Sequence, residues 1–411
     1  MGNTLFKNVR IFDGTTAAVY EGSVRVEDNR IVNVAHGDEK ISEQDAVIID
    51  GVGKTLMPGL TDAHIHLALG SSVEMIKKPG NYSHEKLALI SAHCGRVMLD
   101  HGYTSGYSGG SSSLQAEVAV KEAFDTGLLP GPRLIPSSFE RVPGGPMGLM
   151  FKFEGFEKRP CKPDDVAAFV EEMADKGAKA VKFLLNGVSA FDPGSNMGEQ
   201  FYDEEIIAAG EAAKRKGVWL TAHCYTAHSI KLAIKAGFRT LYHLTYADEE
   251  ALELIETHKD QLFIGPAPGI VEADLLRAPS FGVMASEAQV EEQRDAVGHV
   301  KWMGNELRKR GIRSLPGGDY GFPWNPVGTN SRDLELFVEW FGYTPHETLQ
   351  AATRFGGELM DMGNELGQIK TGYLADLLLV KGDPTSDISI LSNKDNIEYI
   401  IKDGKFHKQP V

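Results

Sequence analysis

Residues 178–187 read AKAVKFLLNG, and this stretch carries the pattern that decides the fold. Its apolar run AVKFLL ends at Asn-Gly, and a short apolar run bounded by turn residues predicts a buried strand. Lys182 lies in the middle of that run. A lysine is almost never fully buried unless it is paired, so this side chain is expected to have a partner or a chemical role.

Similar runs alternate with amphipathic helical stretches on both sides of this strand. The helical stretches include residues 84–102, 164–177, 203–217 and 227–237, and each ends in glycine, as helices often do. The predicted strands are GLTDAHIHL (59–67), YTSGYSG (103–109), PRLIPSS (132–138), AVKFLLNG (180–187), VWLTAHC (218–224), TLYHLTY (240–246), LFIGPAP (262–268) and RSLPGGDY (313–320). Eight strands alternating with helices predict an α/β fold, a (β/α)8 TIM barrel, whose active sites lie at the C-terminal strand ends.

The two ends of the chain have a different pattern. Residues 4–55 alternate short β-like runs with Asp-Gly and Asp-Asn turns, which predicts a small antiparallel sheet. The C-terminal runs GYLADLLLVKGDP (372–384) and IEYIIKDGKF (397–406) are similar. We therefore expect residues 1–57 and 366–411 to form a composite β-sandwich, and residues 58–365 to form the barrel.

Composition narrows the class of protein. The chain has 411 residues and a formal net charge of −15, which argues against binding to nucleic acid or to an anionic membrane. Its cysteines, Cys94, Cys161 and Cys224, are far apart and form no CxxC pair, so a reducing cytoplasm is the expected setting. The N-terminus lacks the apolar segment of a signal peptide, and no apolar stretch approaches the roughly 20 residues that span a bilayer.

Histidines and an aspartate lie late in several of the predicted strands. His64 and His66 are two residues apart on one strand and so point to the same side, where they form either a metal chelate or a hydrogen-bonded pair. His223 and His243 end two later strands, and Asp319 follows a Gly-Gly turn in the last. A lone histidine is more often structural, and Asp319 alone is equally a helix N-cap, but together they indicate a metal site.

Lys182 fits such a site only in a modified form, because an ammonium is a poor neighbour for metal cations. Reaction of its amine with carbon dioxide would give a carbamate, an anion whose two oxygens can bridge two metals. Partial burial lowers the pKa of a lysine and so favours the neutral amine that reacts. The alternative is an ordinary ion-paired lysine at a barrel rim.

These residues resemble the metal-site pattern of the amidohydrolase superfamily, of the binuclear type. That type has HxH after the first strand, a carbamylated lysine on the fourth, histidines on the fifth and sixth, and an aspartate on the eighth. The matching residues, in the same order, are His64 and His66, Lys182, His223, His243 and Asp319. The resemblance covers essentially the whole chain.

The resemblance implies a cofactor and a mechanism. His64 and His66 with Asp319 would hold one divalent metal ion, His223 and His243 the other, and the Lys182 carbamate and a hydroxide would bridge them. Zinc suits these ligands best, with cobalt or manganese as alternatives. Two cations lower the pKa of a bound water and polarise the scissile carbonyl, while Asp319 takes the proton of the attacking hydroxide and passes it to the leaving group.

Within the superfamily, residues 222–243 resemble the Xaa-Pro and Xaa-Arg/Lys dipeptidases and the ochratoxin-cleaving amidases. That branch has a GGHG-type segment after the third strand, whereas this chain reads FERVPGGPMGLM (139–150), with Pro146 and Met147 at the position of the histidine. The departure favours a less polar substrate. Deaminases of the superfamily carry a glutamate where this chain has Thr226 and commonly lack the bridging lysine, so deamination is disfavoured.

Several further residues are candidates for substrate contact. Tyr225 and His228 follow His223, and His228 either contacts substrate or caps the next helix. Tyr107, Phe322 and Trp324 are expected on loops at the barrel mouth, where aromatics either bind an apolar group or only pack. Arg141 would pair with a substrate carboxylate or form a surface ion pair.

The sequence therefore predicts a hydrolase that cleaves an amide-type C–N bond of a small molecule: an N-acyl amino acid, aryl amide, carbamate or urea. A metallo-dipeptidase, prolidase-like or Xaa-Arg/Lys carboxypeptidase-like, is the alternative enzyme. A catalytically silent barrel scaffold is the alternative of another class. A homo-oligomer is expected, because symmetric homo-oligomers are common among soluble enzymes.

Overall fold

The computed structural model describes residues 3–77, 82–146 and 161–410. Its strands are β1 (Asn3–Ile11), β2 (Tyr20–Glu27), β3 (Arg30–His36), β4 (Ala46–Asp50), β5 (Lys54–Pro58), β6 (Leu60–Ile65), β7 (Tyr103–Ser108), β8 (Arg133–Ile135), β9 (Arg141–Val142), β10 (Gly145–Pro146), β11 (Ala180–Leu184), β12 (Trp219–Thr226), β13 (Thr240–Tyr246), β14 (Phe263–Gly265), β15 (Leu377–Lys381), β16 (Ile397–Lys402) and β17 (Lys405–Lys408). Its helices are α1 (Val73–Lys77), α2 (His84–Asp100), α3 (Leu114–Asp125), α4 (Pro163–Asp175), α5 (Asp203–Lys216), α6 (Ala227–Lys235), α7 (Glu249–Thr257), α8 (Pro268–Leu276), α9 (Glu287–Lys309), α10 (Arg332–Phe341), α11 (Pro345–Ala352) and α12 (Arg354–Leu359).

One sheet joins the two ends of the chain. Its strand order is β17-β16-β15-β5-β1-β2-β3, and β4 pairs with β1. The N-terminal β5 lies antiparallel to the C-terminal β15, with Met57 opposite Leu378. The predicted pairing of the two termini is therefore confirmed as a sheet, while its organisation as a two-layered sandwich stays a prediction.

The middle of the chain contains parallel strands in the predicted order. β6, β7 and β8 form one parallel set, and β9, β11, β12, β13 and β14 form another, with β10 antiparallel to β9. Isolated parallel bridges connect the two sets and return to β6. These bridges are Ser137 to Ala180, Ile264 to Ser314 and Ile65 to Tyr320. The pairings thus run in a cycle from β6 through β14 and the segment 314–320 back to β6.

The segment predicted as the eighth strand, residues 313–320, contributes only bridges at Ser314 and Tyr320. Pro316 has no N–H to donate, and the Gly317 N–H donates to Asp333 Oδ2 at 2.8 Å instead of to a neighbouring strand. The backbone then turns into the left-handed region at Asp319, with φ of 61°. The chain therefore passes beside β6 without forming a continuous ladder.

Alternation along β11 decides where Lys182 points. Val181 and Phe183 belong to the apolar core formed with the helices that follow β8 and β11. Because successive side chains on a strand face opposite sides, Ala180 and Lys182 point the other way, and Ala180 belongs there to a second apolar cluster that includes Tyr242. Lys182 thus lies on the inner side of the cycle of strands, where its side chain is fully buried.

Candidate metal centre and pocket

The HxH pair lies at the end of β6. The His64 backbone N–H donates to Asp62 Oδ1 at 2.8 Å, which fixes the end of the strand. His66 Nδ1 lies 2.9 Å from the Gly110 carbonyl oxygen, and because a carbonyl only accepts, Nδ1 carries the proton. His66 Nε2 therefore faces the cluster, and it lies 3.3 Å from His64 Nε2.

Two glycines after β7 make room for this pair. A Cβ at Gly109 would collide with the imidazole of His64 and approach that of His66. Gly110 has φ of 143°, and a Cβ there would collide with the side chain of Glu140. The Gly109–Gly110 backbone thus leaves space for the histidines and for a carboxylate beside them.

Asp319 lies against both histidines. Its Oδ1 is 2.9 Å from His66 Nε2 and 3.5 Å from His64 Nε2. The ligand atoms of these three residues lie within 4.8 Å of one another, as the donors to one metal ion must. Asn325 Nδ2 donates to the Gly318 carbonyl oxygen at 2.6 Å and so supports the strained backbone that presents Asp319.

Lys182 completes this side of the site. Its Nζ lies 3.4 Å from His64 Nε2, 3.8 Å from Glu140 Oε1 and 4.4 Å from the centre of the Tyr242 ring. The same tyrosine ring stacks on His64 at 3.6 Å between centroids, with its hydroxyl donating to the Ala63 carbonyl at 2.6 Å. Tyr242 therefore orients His64 and forms one wall around the lysine amine.

His223 and His243 lie on the adjacent strands β12 and β13. Their ring centroids are 4.4 Å apart, and His243 Nε2 lies 3.9 Å from Asp319 Oδ2. His243 has φ of 75°, so two of the clustered residues hold a left-handed backbone, a strain that is often found at functional sites. Within the described part of the chain, four buried ring nitrogens here make no hydrogen bond: His64 Nδ1, His223 Nε2 and both nitrogens of His243. Such unsatisfied buried nitrogens fit the donor set of a metal centre.

Burial keeps most of these histidines neutral. It lowers the pKa of His64 and His223 well below the usual range, and it lowers the pKa of His243 to about 3. Burial would also lower the pKa of His66, but the bonded Asp319 carboxylate outweighs it and raises that pKa. Neutral imidazole is the form that binds metals.

The acid and the amine of the cluster also have shifted pKa values. Burial would raise the pKa of Asp319, but His64 and His66 hold it well below the usual range, so the group is a carboxylate. Burial lowers the pKa of Lys182 against the attraction of Glu140 and Asp319. A lowered pKa increases the share of neutral amine, the form that reacts as a nucleophile.

A small pocket opens above the cluster. His66, His223 and Asp319 lie among its lining residues together with Glu140. Apolar and aromatic side chains form most of the remainder, and one further carboxylate, Asp274, lies among them. The rest of the lining is Leu184, Val188, Ala190, Phe191, Tyr225, Ile270, Asp274, Phe322 and Trp324.

Three of the predicted substrate contacts line this pocket. Tyr225 follows His223, and its backbone N–H donates to Asn186 Oδ1 at 2.7 Å. Phe322 and Trp324 stack with ring centroids 5.2 Å apart, and Trp324 Nε1 donates to Asp274 Oδ1 at 2.7 Å. Phe322 and Trp324 thus form an aromatic wall of the pocket, and the hydrogen bond from the indole N–H fixes the Trp324 ring.

The other three lie elsewhere. Tyr107 is within β7 and not on a mouth loop, because its fully buried ring points inward and its hydroxyl pairs with Thr221 Oγ1 at 3.0 Å. His228 Nε2 lies 3.1 Å from Asp203 Oδ1 on an exposed face of α6. Arg141 is buried, with its guanidinium 5.3 Å from the centre of the Phe169 ring, and is not among the pocket-lining residues.

Residue-by-residue reading of the sequence missed three contributors. Tyr242 directly precedes the candidate ligand His243 in TLYH, and this adjacency is the one sequence signal that places it in the site. Glu140 lies in the irregular stretch after β8, and Asp274 lies in α8, whose pattern is that of an ordinary buried helix. Met147, where the branch carries a histidine, lies outside the described residues.

The chain matches the sequence model of the Amidohydrolase family over residues 55–264 and 330–406. The chain therefore belongs to the amidohydrolase family, and this membership supports metal-dependent hydrolysis of an amide-type C–N bond. None of the helices in the described ranges is long and apolar enough to cross a membrane.

Particular relatives fall within the same class. The ochratoxinase of Aspergillus niger is 28% identical over 386 residues, which cover 86% of this chain and 76% of the relative. A crystal structure of a prolidase complexed with N-methylphosphonate-L-proline has a TM-score of 0.86 and 26% identity, covering 99% of this chain and 100% of the prolidase. A Xaa-Pro dipeptidase with bound methionine has a TM-score of 0.83, also at 26% identity, with 99% of this chain and 100% of that chain covered.

Proposed function

We propose that this amidohydrolase cleaves a small-molecule amide, carbamate or urea whose reacting bond carries an apolar or aromatic group. The observation that carries the proposal is the buried cluster itself. Three histidines with unpaired ring nitrogens, a fourth histidine against the Asp319 carboxylate, and a lysine of lowered pKa meet beside a pocket walled by Phe322 and Trp324. Few buried polar clusters leave so many groups unsatisfied without a ligand to take them.

Each residue of the cluster has a proposed role toward two divalent metal ions, of which zinc fits best. His64, His66 and Asp319 would hold one ion, and His223 and His243 the other. When bound, such ions activate water and polarise a carbonyl. Asp319, held as a carboxylate, would accept a proton from the water and return it to the leaving nitrogen.

Lys182 is proposed as a carbamate formed with carbon dioxide. The amine nitrogen would attack the carbon of carbon dioxide and lose a proton, which yields an anion with two oxygen donors. The lowered pKa of Lys182 and its 3.4 Å distance to His64 Nε2 support this assignment. Tyr242, against the amine, would hold the stem of the lysine in place.

The pocket favours an apolar substrate over one with a free carboxylate. Among its described lining residues, Glu140, Asp274 and Asp319 are acidic and none is a lysine or arginine. Burial raises the pKa of Asp274 to about 7, so this group is only partly ionised at neutral pH, and it also raises the pKa of Glu140. A metallo-dipeptidase remains the second candidate, and the likeness to a prolidase and to a Xaa-Pro dipeptidase supports it. A substrate of that class would bring a carboxylate beside these acids, which costs Coulomb energy unless a cation intervenes.

The wider setting belongs to the same proposal. The cycle of strand pairings supports a (β/α)8 barrel over residues 58–365, and the joint terminal sheet supports a composite sandwich from residues 1–57 and 366–411. We propose a cytoplasmic location from the cysteine content, and a homo-oligomeric assembly because symmetric homo-oligomers are common among soluble enzymes.

Metal content and a matched substrate panel test the proposal. Metal-replete protein should hold about two equivalents of metal, and it should hydrolyse aryl amides, carbamates or ureas faster than dipeptides. Lys182→Ala should lose turnover and the second equivalent, with partial rescue by short-chain carboxylates, while the exposed Lys176→Ala should match wild type. Faster turnover of dipeptides would favour the second candidate, and metal well below one equivalent would favour an inactive scaffold.

A further inference from the structure

Glu140 lies beside the buried cluster although it is not one of the six residues of the family pattern. It directly precedes β9, and its side chain is 15% exposed, with Oε1 3.8 Å from Lys182 Nζ. It lines the pocket together with His66, His223 and Asp319. Its carboxylate is thus close to the groups that would hold the metals.

The backbone around Glu140 is shaped to admit it. Gly110 has no Cβ, and one there would overlap the Glu140 side chain. The same Gly110 accepts the His66 Nδ1–H through its carbonyl oxygen. One residue therefore orients a metal-binding histidine and clears the space in which the carboxylate lies beside it.

The charge of Glu140 has different consequences with and without metal. Without metal, Glu140 Oε1 lies 3.8 Å from Lys182 Nζ, and burial raises the pKa of Glu140 while the nearby His66 and Lys182 favour its carboxylate form. A carbamate on Lys182 would instead place two anions side by side in a buried site, which is strongly unfavourable unless a cation lies between them. Glu140 and the carbamate are therefore compatible when both face a metal ion.

The total charge of a binuclear centre leads to the same conclusion. Asp319 and a Lys182 carbamate would offset half of the positive charge of two divalent cations. Glu140 would offset a further part from within the same pocket. Hard carboxylate oxygens are suitable donors to zinc, cobalt and manganese.

We propose that Glu140 is an additional metal-site carboxylate, which supplies an oxygen ligand on the side of the centre formed by His64, His66 and Lys182. The inference rests on the proposed function, because it assumes that the cluster binds divalent metal. It adds a permanent anionic ligand to a centre whose other oxygen bridge depends on carbon dioxide. Metal affinity should then depend less on bicarbonate than in a site that has the carbamate alone.

Equilibrium metal binding tests the proposal without relying on turnover. Competition with a chromophoric chelator gives the affinity for Zn²⁺, and the visible absorption of the Co²⁺ form reports its ligand field. Glu140→Gln should lower the affinity on the order of tenfold or more and change the Co²⁺ spectrum. When bicarbonate is removed, the affinity of Glu140→Gln should fall by a larger factor than that of wild type.

Asp274→Asn is the matched control, because this carboxylate lines the same pocket but bonds Trp324. It should retain wild-type metal affinity and spectrum. Should Glu140→Gln fail to fold, as judged by circular dichroism, the comparison moves to Lys182→Ala with and without Glu140→Gln. Glu140→Gln alone leaves Lys182 buried without its carboxylate partner, whereas the double variant Lys182→Ala/Glu140→Gln contains no such lysine. Its affinity for metal should be lower than that of Lys182→Ala.

The outcomes separate the two proposals. Wild-type affinity and an unchanged Co²⁺ spectrum in folded Glu140→Gln would overturn the role of Glu140 while leaving the proposed function intact. A double variant that binds metal as tightly as Lys182→Ala would likewise overturn the role of Glu140 and leave the proposed function intact. Wild-type protein that binds well below one equivalent would instead overturn the proposed function.

Discussion

Asp319 combines an unusual backbone conformation with a carboxylate at the centre of the histidine cluster. Its carboxylate approaches three histidines, yet its backbone has φ of 61°, a region that most side chains avoid. Asparagine tolerates this conformation nearly as well as aspartate. Asp319→Asn therefore removes the charge and the proton acceptor without adding backbone strain.

We expect Asp319→Asn to lower kcat on the order of 10²–10⁴-fold, the usual contribution of a positioned acid–base group. Its unfolding midpoint without metal should stay close to that of wild type. Steady-state kinetics with parallel metal analysis measure this, and Asp203→Asn, a change in an exposed ion pair with His228, is the control. Near-wild-type turnover in metal-loaded Asp319→Asn would rule out the proposed proton transfer.

Sequence reasoning found the members of the cluster whose positions follow from strand periodicity. His64, His223 and His243 lie on strands of one parallel arrangement, so their order along the chain already predicts that they meet. Glu140 and Asp274 could not be found in this way. The first lies in an irregular loop and the second in a helix, and neither has a periodic pattern that indicates the direction of its side chain.

At the scale of elements, a buried carboxylate connects α3 to the end of β7 and to the segment that follows β8. Glu117 lies in α3, where its Oε1 accepts from Ser108 Oγ at 2.8 Å and its Oε2 accepts from the Ser137 N–H at 2.7 Å. Burial raises the pKa of Glu117 to about 7. A carboxyl whose pKa rises on folding stabilises the protein at low pH and loses that contribution as pH increases through the raised value.

Glu117→Gln should abolish this pH dependence. The amide can keep both hydrogen bonds, since its oxygen accepts from Ser137 and its NH2 donates to Ser108. Between pH 5 and pH 8, the free energy of unfolding of wild type should fall by up to about 3 kcal/mol relative to the variant. Denaturant titrations at a series of pH values measure the difference. The exposed Glu204→Gln is the control and should run parallel to wild type, and parallel curves for Glu117→Gln would contradict the prediction.

The predicted strands also show where the sequence pattern does not determine the backbone hydrogen bonds. Seven of the predicted strands form as ladders, and the run RSLPGGDY forms only bridges. Its Pro-Gly-Gly sequence was compatible with a strand end, but the Gly317 N–H is taken by Asp333, far along the chain. A hydrogen bond between residues brought together only by folding cannot be predicted from local propensity.

At the scale of the whole molecule, the terminal sheet and the parallel strands share one apolar core. Met57, Leu378 and Ile400 of the sheet pack with Met98 of α2 and Tyr103 of β7. The sequence predicted that the two termini pair, because both have the alternating pattern of exposed sheets. It did not reveal the polar contact between the two parts, which joins residues more than 200 positions apart.

That contact centres on Arg133 of β8. Its guanidinium donates to both oxygens of Asp376, at 3.1 and 3.2 Å, and to Asp403 Oδ1 at 2.8 Å. Asp376 is 3% exposed, so removal of the arginine would leave a buried carboxylate without its cation. Broken buried pairs of this kind typically cost 3–5 kcal/mol, whereas exposed pairs contribute about 1 kcal/mol or less.

We therefore expect Arg133→Met to lower the free energy of unfolding by about 3 kcal/mol or more, and Arg215→Met, which breaks an exposed pair with Glu171, by less than about 1 kcal/mol. Burial opposes ionisation of Asp403, but Arg133 holds its pKa below the usual range. That part of the stability is present at neutral pH and is lost as pH falls through the lowered pKa. The difference between wild type and Arg133→Met, measured by denaturant unfolding, should thus narrow in acid. Equal losses in the two variants would show that the Arg133 contact does not hold the terminal sheet to the strands.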